Sequence, residues 1–129
     1  MEEPFEFAEG VVLEPKDVRQ VQLAKGAICG GIRTLLNREG LKPEDVDTLY
    51  IAGGFGSYID LGSAARVGIF PAGMSQSAKV IGNAALSGAI MMLLMADSKF
   101  EPRSVEAECI NLAKEPEFSD LYMESMFFE

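Results

Sequence analysis

Apolar positions change their spacing several times along the chain, and each spacing predicts a different element. Phe5 and Phe7 alternate with polar residues, and an apolar triplet at 11–13 follows a turn at 9–10, which predicts two short strands. Between Lys16 and about Asn37 apolar residues recur every three or four positions, which predicts one long helix. We expect its apolar stripe to be the core face; it comprises Val18, Val21, Ala24, Ile28, Ile32 and Leu35.

Three glycines, Gly26, Gly30 and Gly31, lie inside this predicted helix. Each costs roughly 1 kcal/mol relative to alanine at an exposed interior position, so something must offset the cost. Gly26 and Gly30 are four positions apart and share a face, which lets another backbone or a flat ligand come close. We favour tight packing against a sheet or another helix, and contact with a ligand is the alternative.

Strands and helices alternate through the rest of the chain, which predicts an α/β fold with helices against a small sheet and one domain spanning residues 1–129. After a helix end at Gly40, the predicted elements are a strand at Thr48–Ala52, a helix at Leu61–Val67 capped by Asp60, a strand at Lys79–Ile81 and a helix at Asn83–Ala96. The last of these is apolar nearly all round, so we expect it to be covered on most sides.

The C-terminal part alternates less clearly. It predicts a helix at Pro102–Ala107, a strand at Cys109–Leu112 and a final helix at Glu117–Met126. Phe127 and Phe128 are unexpectedly apolar for a terminus, and they either pack back onto the domain or belong to an interface.

Composition excludes several classes of function. The 129 residues carry a net charge of −9, and the Lys and Arg residues are scattered, which argues against nucleic acid as a partner. Two cysteines and no histidine exclude a disulfide framework and a zinc or iron–sulfur site built from Cys and His. The uncharged run at 80–96 is too short and too polar for a membrane span, and the start is unlike a secretory signal, so we expect a cytoplasmic protein.

The predicted strand Thr48–Ala52 runs directly into three glycines, Gly53, Gly54 and Gly56. A P-loop would need a following Lys-Ser or Lys-Thr, and a dinucleotide-binding fingerprint would need different glycine spacing. A third mechanism fits the order of elements: a purine lies over the glycine backbone, and the preceding helix forms the other wall. A turn that needs a positive φ, with no ligand, explains the same spacing.

Four segments together resemble one family: residues 17–28 (DVRQVQLAKGAI), 51–60 (IAGGFGSYID), 63–71 (SAARVGIFP) and 81–89 (IGNAALSGA). They resemble the C-terminal part of the ATP-dependent reductive activators of corrinoid proteins, within the superfamily of sugar kinases, actin and chaperone ATPases. The resemblance implies a lobe with the ribonuclease-H-like, actin-like ATPase fold. A small-molecule kinase lobe shares this fold but explains the amino-acid sequences of the first and last segments less well.

The resemblance also implies where a nucleotide binds. The stretch Ala52, Gly53, Gly54, Phe55 and Gly56 is similar to the adenosine motif of the superfamily. Gln22 and Lys25 are then expected to contact the ribose or base, with Gly26 on a turn beside them. Gly82 and Asn83 either donate backbone hydrogen bonds near the nucleotide or cap the following helix, and we favour the cap.

Relatives of this kind are longer proteins with a two-iron two-sulfur domain followed by two ATPase lobes. This chain has no four-cysteine set, and its Asp60-Leu61-Gly62 fits the letters of a phosphate loop but follows the adenosine motif. We therefore expect a lobe that is not catalytic alone, with Mg-ATP bound and an iron–sulfur cluster carried only by the intact protein. The implied partners are the rest of the ATPase polypeptide and a corrinoid protein, and a homodimer is left open. The alternative is a non-catalytic dimerisation or corrinoid-protein docking module of the same fold.

Overall fold

A computed structural model describes residues 3–95 and 107–128 of the chain, without the side chain of Phe55. Its strands are β1 (Phe5–Ala8), β2 (Val11–Leu13), β3 (Leu49–Ala52) and β4 (Ala78–Gly82). Its helices are α1 (Pro15–Arg38), α2 (Gly53–Gly56), α3 (Leu61–Val67), α4 (Ala84–Met95) and α5 (Phe118–Ser125). Short 3₁₀ turns lie at Pro43–Asp45, Met74–Ser77 and Leu112–Lys114.

Helix α1 forms where the three-to-four spacing predicted it. Pro15 provides a first helical position that needs no backbone donor, and the Asp17 carboxylate accepts a hydrogen bond of 2.9 Å from the Glu14 backbone N–H. At the other end Gly40 adopts φ +67°, a conformation that favours glycine and stops the helix. The predicted long helix is confirmed.

The strands form two small sheets. β1 and β2 make an antiparallel hairpin around Gly10, whose φ is +76°. β3 and β4 pair in parallel, and the register places Ala52 beside Gly82. All four predicted strands before residue 95 are confirmed, and the parallel pair brings the residues that follow β3 and β4 to the same edge.

The face of α1 that is buried is its glycine face, so the predicted core stripe is wrong. Val21, Ile28 and Leu35 of that stripe are exposed, while Gly26 and Gly30 lie under α5. A Cβ on Gly30 would come within 2.9 Å of the Tyr122 Cα atom. The missing side chains let α5 approach closely, and this tertiary contact outweighs the apolar periodicity. The buried apolar side chains are Cys29, Ala64, Phe70, Met74 and Leu121.

Helix α4 is confirmed as a helix but not as a covered one. None of its residues is buried, and Leu86, Met92 and Leu94 are among its exposed side chains. A sheet of two strands is only about 5 Å from strand to strand, whereas a helix with its side chains is about 10 Å across. The two-stranded sheet is thus too narrow to cover an apolar helix.

The C-terminal part confirms one of its three predicted elements. α5 matches the predicted helix at Glu117–Met126, with each end one residue shorter. The predicted strand at Cys109–Leu112 is wrong, because Asn111 instead caps a 3₁₀ turn by accepting a 3.1 Å hydrogen bond from the Ala113 N–H. The helix predicted at Pro102–Ala107 lies outside the described residues except for Ala107, which is not helical.

Candidate functional site at the glycine edge

The glycine edge is the end of the parallel sheet formed by Ala52, Gly53 and Gly54 after β3 and by Gly82 and Asn83 after β4. β3 passes directly into the single turn α2, and Gly53 makes this possible with φ +89°. The parallel register holds Gly82 next to Ala52. Five of the predicted nucleotide-binding residues are therefore neighbours.

The three glycines of the stretch are glycine for different physical reasons. Gly53 needs its positive φ. Gly56 is packed, since a Cβ there would come within 2.6 Å of the Ile51 Cγ2 atom. Gly54 has no positive φ, and among the described residues a Cβ on it would meet nothing within 4 Å. Neither its conformation nor packing against the described residues accounts for Gly54.

Asn83 caps α4, in line with the favoured interpretation. Its Oδ1 atom accepts a 3.0 Å hydrogen bond from the Leu86 N–H, while Gly82 adopts φ +64°. A Cβ on Gly82 would also meet nothing within 4 Å among the described residues. The backbone beside Asn83 is thus open to solvent at the glycine edge.

The structure places Lys25 and Gly26 against α5 instead of at the glycine edge. Lys25 is only 4% exposed, and its ammonium donates to the Ser125 carbonyl oxygen at 2.7 Å and to the Phe127 carbonyl oxygen. The same ammonium lies 5.3 Å from the centre of the Phe128 ring. Lys25 therefore stabilises the C-terminal end of α5 by donating to the carbonyl group of its last residue and to that of Phe127 just beyond it.

Gly26 is inside α1 and not on a turn, which corrects its predicted setting. A Cβ there would come within 2.7 Å of the Met126 Cγ atom and 3.0 Å of the Tyr122 carbonyl oxygen. Packing against another helix, the favoured interpretation of this glycine face, explains its identity. Gln22 is half-buried one turn earlier on the same helix.

Two cavities flank α3. The larger, about 530 Å³, lies between α1, α3 and α5, and it is lined by Lys25, Arg33 and Arg66 but by none of the glycine-edge residues. The second, which we call the Tyr58 groove, has a volume of about 450 Å³ and begins just after the glycine stretch. It is lined by Val21, Tyr58, Ile59, Asp60, Ser63, Ala64, Val67 and Ile69.

The sequence patterns did not single out Tyr58 or Val21 as site residues. Tyr58 lies in the segment 51–60 that carries the family resemblance, but no role follows from that segment for it, and its only other signal is an aromatic side chain soon after a glycine turn. Val21 was assigned to the core stripe, although it lines the groove.

Asp60 begins α3, as predicted. Its Oδ1 atom accepts a 2.7 Å hydrogen bond from the Ser63 N–H. Hydrogen bonds from the Ser63 side chain and backbone, with a smaller contribution from the charge of Arg66, lower the pKa of Asp60 below its ordinary value of 3.8. Arg66 itself donates to the Ser63 hydroxyl oxygen at 3.0 Å. Asp60 is thus a charged cap at neutral pH.

Substituting Asp60 should change the pH dependence of stability. A carboxylate with a lowered folded pKa contributes stability above its unfolded pKa, and this contribution is lost as the pH falls through the folded value. We expect Asp60→Ala to lower the melting temperature at neutral pH, whereas Asp60→Asn, an equally good cap, should not. Thermal melts at neutral pH and at about pH 3 check this. Equal acid sensitivity in the wild type and Asp60→Asn would contradict it.

Two further properties follow from residues 3–95 and 107–128. In these ranges no group of three or more Cys, Asp or Glu side chains could hold a metal ion. The helices there are too short or too polar to cross a bilayer.

A model of the C-terminal domain of RACo, the ASKHA domain, matches residues 2–129. The chain belongs to this family. The actin-like ATPase fold and the relationship to corrinoid activators predicted from the four segments are thereby confirmed.

Named relatives agree with this assignment. The chain is 36% identical over 120 residues to the corrinoid activation enzyme RamQ of Eubacterium limosum, covering 92% of this chain and 20% of that protein. It is 30% identical over 118 residues to the [Co(II) methylated amine-specific corrinoid protein] reductase of Methanosarcina barkeri, covering 88% of this chain and 22% of that protein. The chain thus spans about a fifth of the length of these relatives.

A solved structure has the same fold. The reductive activator for corrinoid, iron–sulfur protein superposes with a TM-score of 0.60 at 24% identity, over 91% of this chain and 19% of that one. At this identity the likeness concerns the fold.

Proposed function

We propose that residues 1–129 form one domain, the adenosine-side lobe of an ATP-dependent reductive activator of corrinoid proteins. The family assignment and the functions of two relatives support this role. The rest of the ATPase polypeptide would supply the opposite wall of the nucleotide cleft, and a corrinoid protein would be the partner that is activated.

The observation that carries the proposal is the openness of Gly54. A glycine that is required neither by its φ nor by its neighbours is accounted for when something outside the described residues approaches its backbone. Gly82 is similarly open on the neighbouring strand. The two positions together offer a bare backbone surface over which the ribose and base of ATP can lie.

This lobe would supply only part of the ATPase site, and the rest of the polypeptide would supply the remainder. Phosphoryl transfer needs a metal-bound triphosphate clamped from both sides and a positioned water. We therefore place Mg²⁺ and the phosphate loops in the remainder of the cleft and the iron–sulfur cluster in another domain, and we propose that this chain is not catalytic alone.

Filling the surface over Gly54 tests the proposal. We expect Gly54→Val to weaken adenosine binding by about tenfold or more, because its side chain occupies the space that the nucleotide needs, without touching the core. Gly88→Val is the matched control, since Gly88 is also helical, has no positive φ, and a Cβ on it would meet none of the described residues within 4 Å. Calorimetric titration of both variants measures the difference. Equal adenosine affinity in Gly54→Val and the wild type would overturn the assignment of Gly54.

The alternative, an interaction module, is favoured by a different observation. Helix α4 carries no charged residue, and most of its large apolar side chains are exposed. Such a surface is typical of a protein–protein contact. A chain that fails to bind adenosine but self-associates through α4 would favour this alternative.

A further inference from the structure

The larger of the two cavities beside α3, which we call the Arg66 cavity, has the size and lining of a small-molecule site. Its volume of about 530 Å³ is within the range of roughly 300 to 1,000 Å³ that such sites occupy. Residues of α1, α3 and α5 line it, and the buried side chains of Cys29, Phe70 and Pro71 make part of this lining apolar. None of the glycine-edge residues lines it, so the cavity is separate from the proposed nucleotide site.

The Arg66 cavity carries an excess of positive charge, although the whole chain carries a net charge of −9. Among the described residues it is lined by three cationic side chains, Lys25, Arg33 and Arg66, and by two carboxylates, those of Glu44 and Glu124. The ammonium of Lys25 is bound by backbone carbonyl groups, which carry no net charge and do not neutralise it. Positive charge beside buried apolar side chains favours an organic anion as the ligand.

The two guanidinium groups have donors available for such an anion. Arg66 donates to the Ser63 hydroxyl oxygen at 3.0 Å, which is its one hydrogen bond to a described residue, and a guanidinium carries five N–H donors. Arg33 donates to the Ser125 hydroxyl oxygen at 3.3 Å and to a Glu124 carboxylate oxygen at 3.0 Å. The Glu124 side chain is 63% exposed, so this ion pair is weak and a ligand can replace it.

We propose that the Arg66 cavity binds a small organic carboxylate with an apolar body. The carboxylate accepts hydrogen bonds from Arg66 and Arg33, and the apolar body lies against Cys29 and Phe70. The planar fork of an arginine side chain matches the two oxygens of a carboxylate. The carboxylates of Glu44 and Glu124 disfavour a ligand with several negative charges, so a nucleoside triphosphate is a poor candidate. This site goes beyond the proposed function and does not depend on it.

2-Naphthoate is a suitable probe, because it combines one carboxylate with a flat apolar body and is fluorescent. 2-Naphthamide is its uncharged counterpart. We expect 2-naphthoate to bind the chain, and 2-naphthamide and the variant Arg66→Gln each to reduce the affinity about tenfold or more, because each loses the charge-assisted hydrogen bonds. Arg19→Gln is the matched control, since Arg19 is an exposed arginine of α1 that does not line the cavity. Fluorescence anisotropy measures the binding of 2-naphthoate, and calorimetric titration compares it with 2-naphthamide.

The thiol of Cys29 reports where the probe binds. Cys109 is exposed and does not line the cavity, so Cys109→Ser leaves Cys29 as the single thiol of the chain. We expect 2-naphthoate to slow the reaction of Cys29 with a maleimide, 2-naphthamide at the same concentration to leave it unchanged, and adenosine not to displace 2-naphthoate. Equal affinity of the wild type and Arg66→Gln for 2-naphthoate would overturn the proposal. So would displacement by adenosine, unprotected Cys29 in the presence of bound probe, or no binding at millimolar concentrations, and each of these results leaves the proposed function standing.

Discussion

Gly30→Ala is expected to destabilise the fold by up to about 2 kcal/mol net, because it forces α1 and α5 apart. The new Cβ would lie 2.9 Å from the Tyr122 Cα atom, 3.0 Å from the Tyr122 nitrogen and 3.2 Å from the Leu121 carbonyl carbon. These are backbone atoms, so no side-chain rotation can relieve the overlap. Overpacking of this kind costs about 1 to 3 kcal/mol or more, against a gain of about 1 kcal/mol in helix propensity.

Gly88→Ala is the control for the propensity gain. Gly88 is in α4, and a Cβ there would meet nothing within 4 Å among the described residues, so alanine should be neutral or stabilising. Urea denaturation of both variants measures the free energy of unfolding. If Gly30→Ala is as stable as Gly88→Ala, the close contact between α1 and α5 is absent in solution.

Lys25→Met is expected to cost about 2 to 3 kcal/mol. Methionine keeps an unbranched side chain but removes the ammonium that donates to the Ser125 and Phe127 carbonyl oxygens. A hydrogen bond from a charged group contributes about 1.5 to 3 kcal/mol, and its loss leaves these two carbonyl groups without their donor next to a buried side chain. The ring of Phe128 also loses its cation.

Lys16→Met on the same helix is the matched control for Lys25→Met. Lys16 pairs with Glu14 at 2.6 Å, but both side chains are largely exposed, so its removal should change stability little. Urea denaturation again compares the two variants. Equal stability of Lys25→Met and Lys16→Met would show that the ammonium of Lys25 does not hold α5.

Elements with local signals could be predicted from the sequence, whereas their packing partners could not. The cap at Asp60 and the helix end at Gly40 depend on residues within one turn, and the structure confirms both. The choice between the apolar stripe and the glycine face of α1 depends on α5, some ninety residues away. The local pattern at Cys109–Leu112 likewise could not show that, in the described part of the chain, no strand pairs with this segment.

Only part of the candidate site could be predicted from the sequence, again because local signals do not reveal which elements pack together. The glycine stretch indicated an unusual backbone conformation after β3. The parallel register of β3 and β4 explains why Gly82 and Asn83 lie beside it. Lys25 was assigned by resemblance to a nucleotide contact, but its ammonium is bound to the end of α5. Tyr58 could be identified only in the structure, where it is exposed beside the groove, because the spacing of residues in the sequence does not predict this position.

Calorimetric titration of the chain with adenosine and, in parallel, with Mg-ATP tests the central claim most directly. We predict that both bind with similar affinity. The glycine edge offers a site for the base and ribose, which the two ligands share, and the described residues include no group of metal-binding side chains that would favour Mg-ATP. The absence of heat from either ligand at high protein concentration would contradict a preformed adenosine site on this lobe.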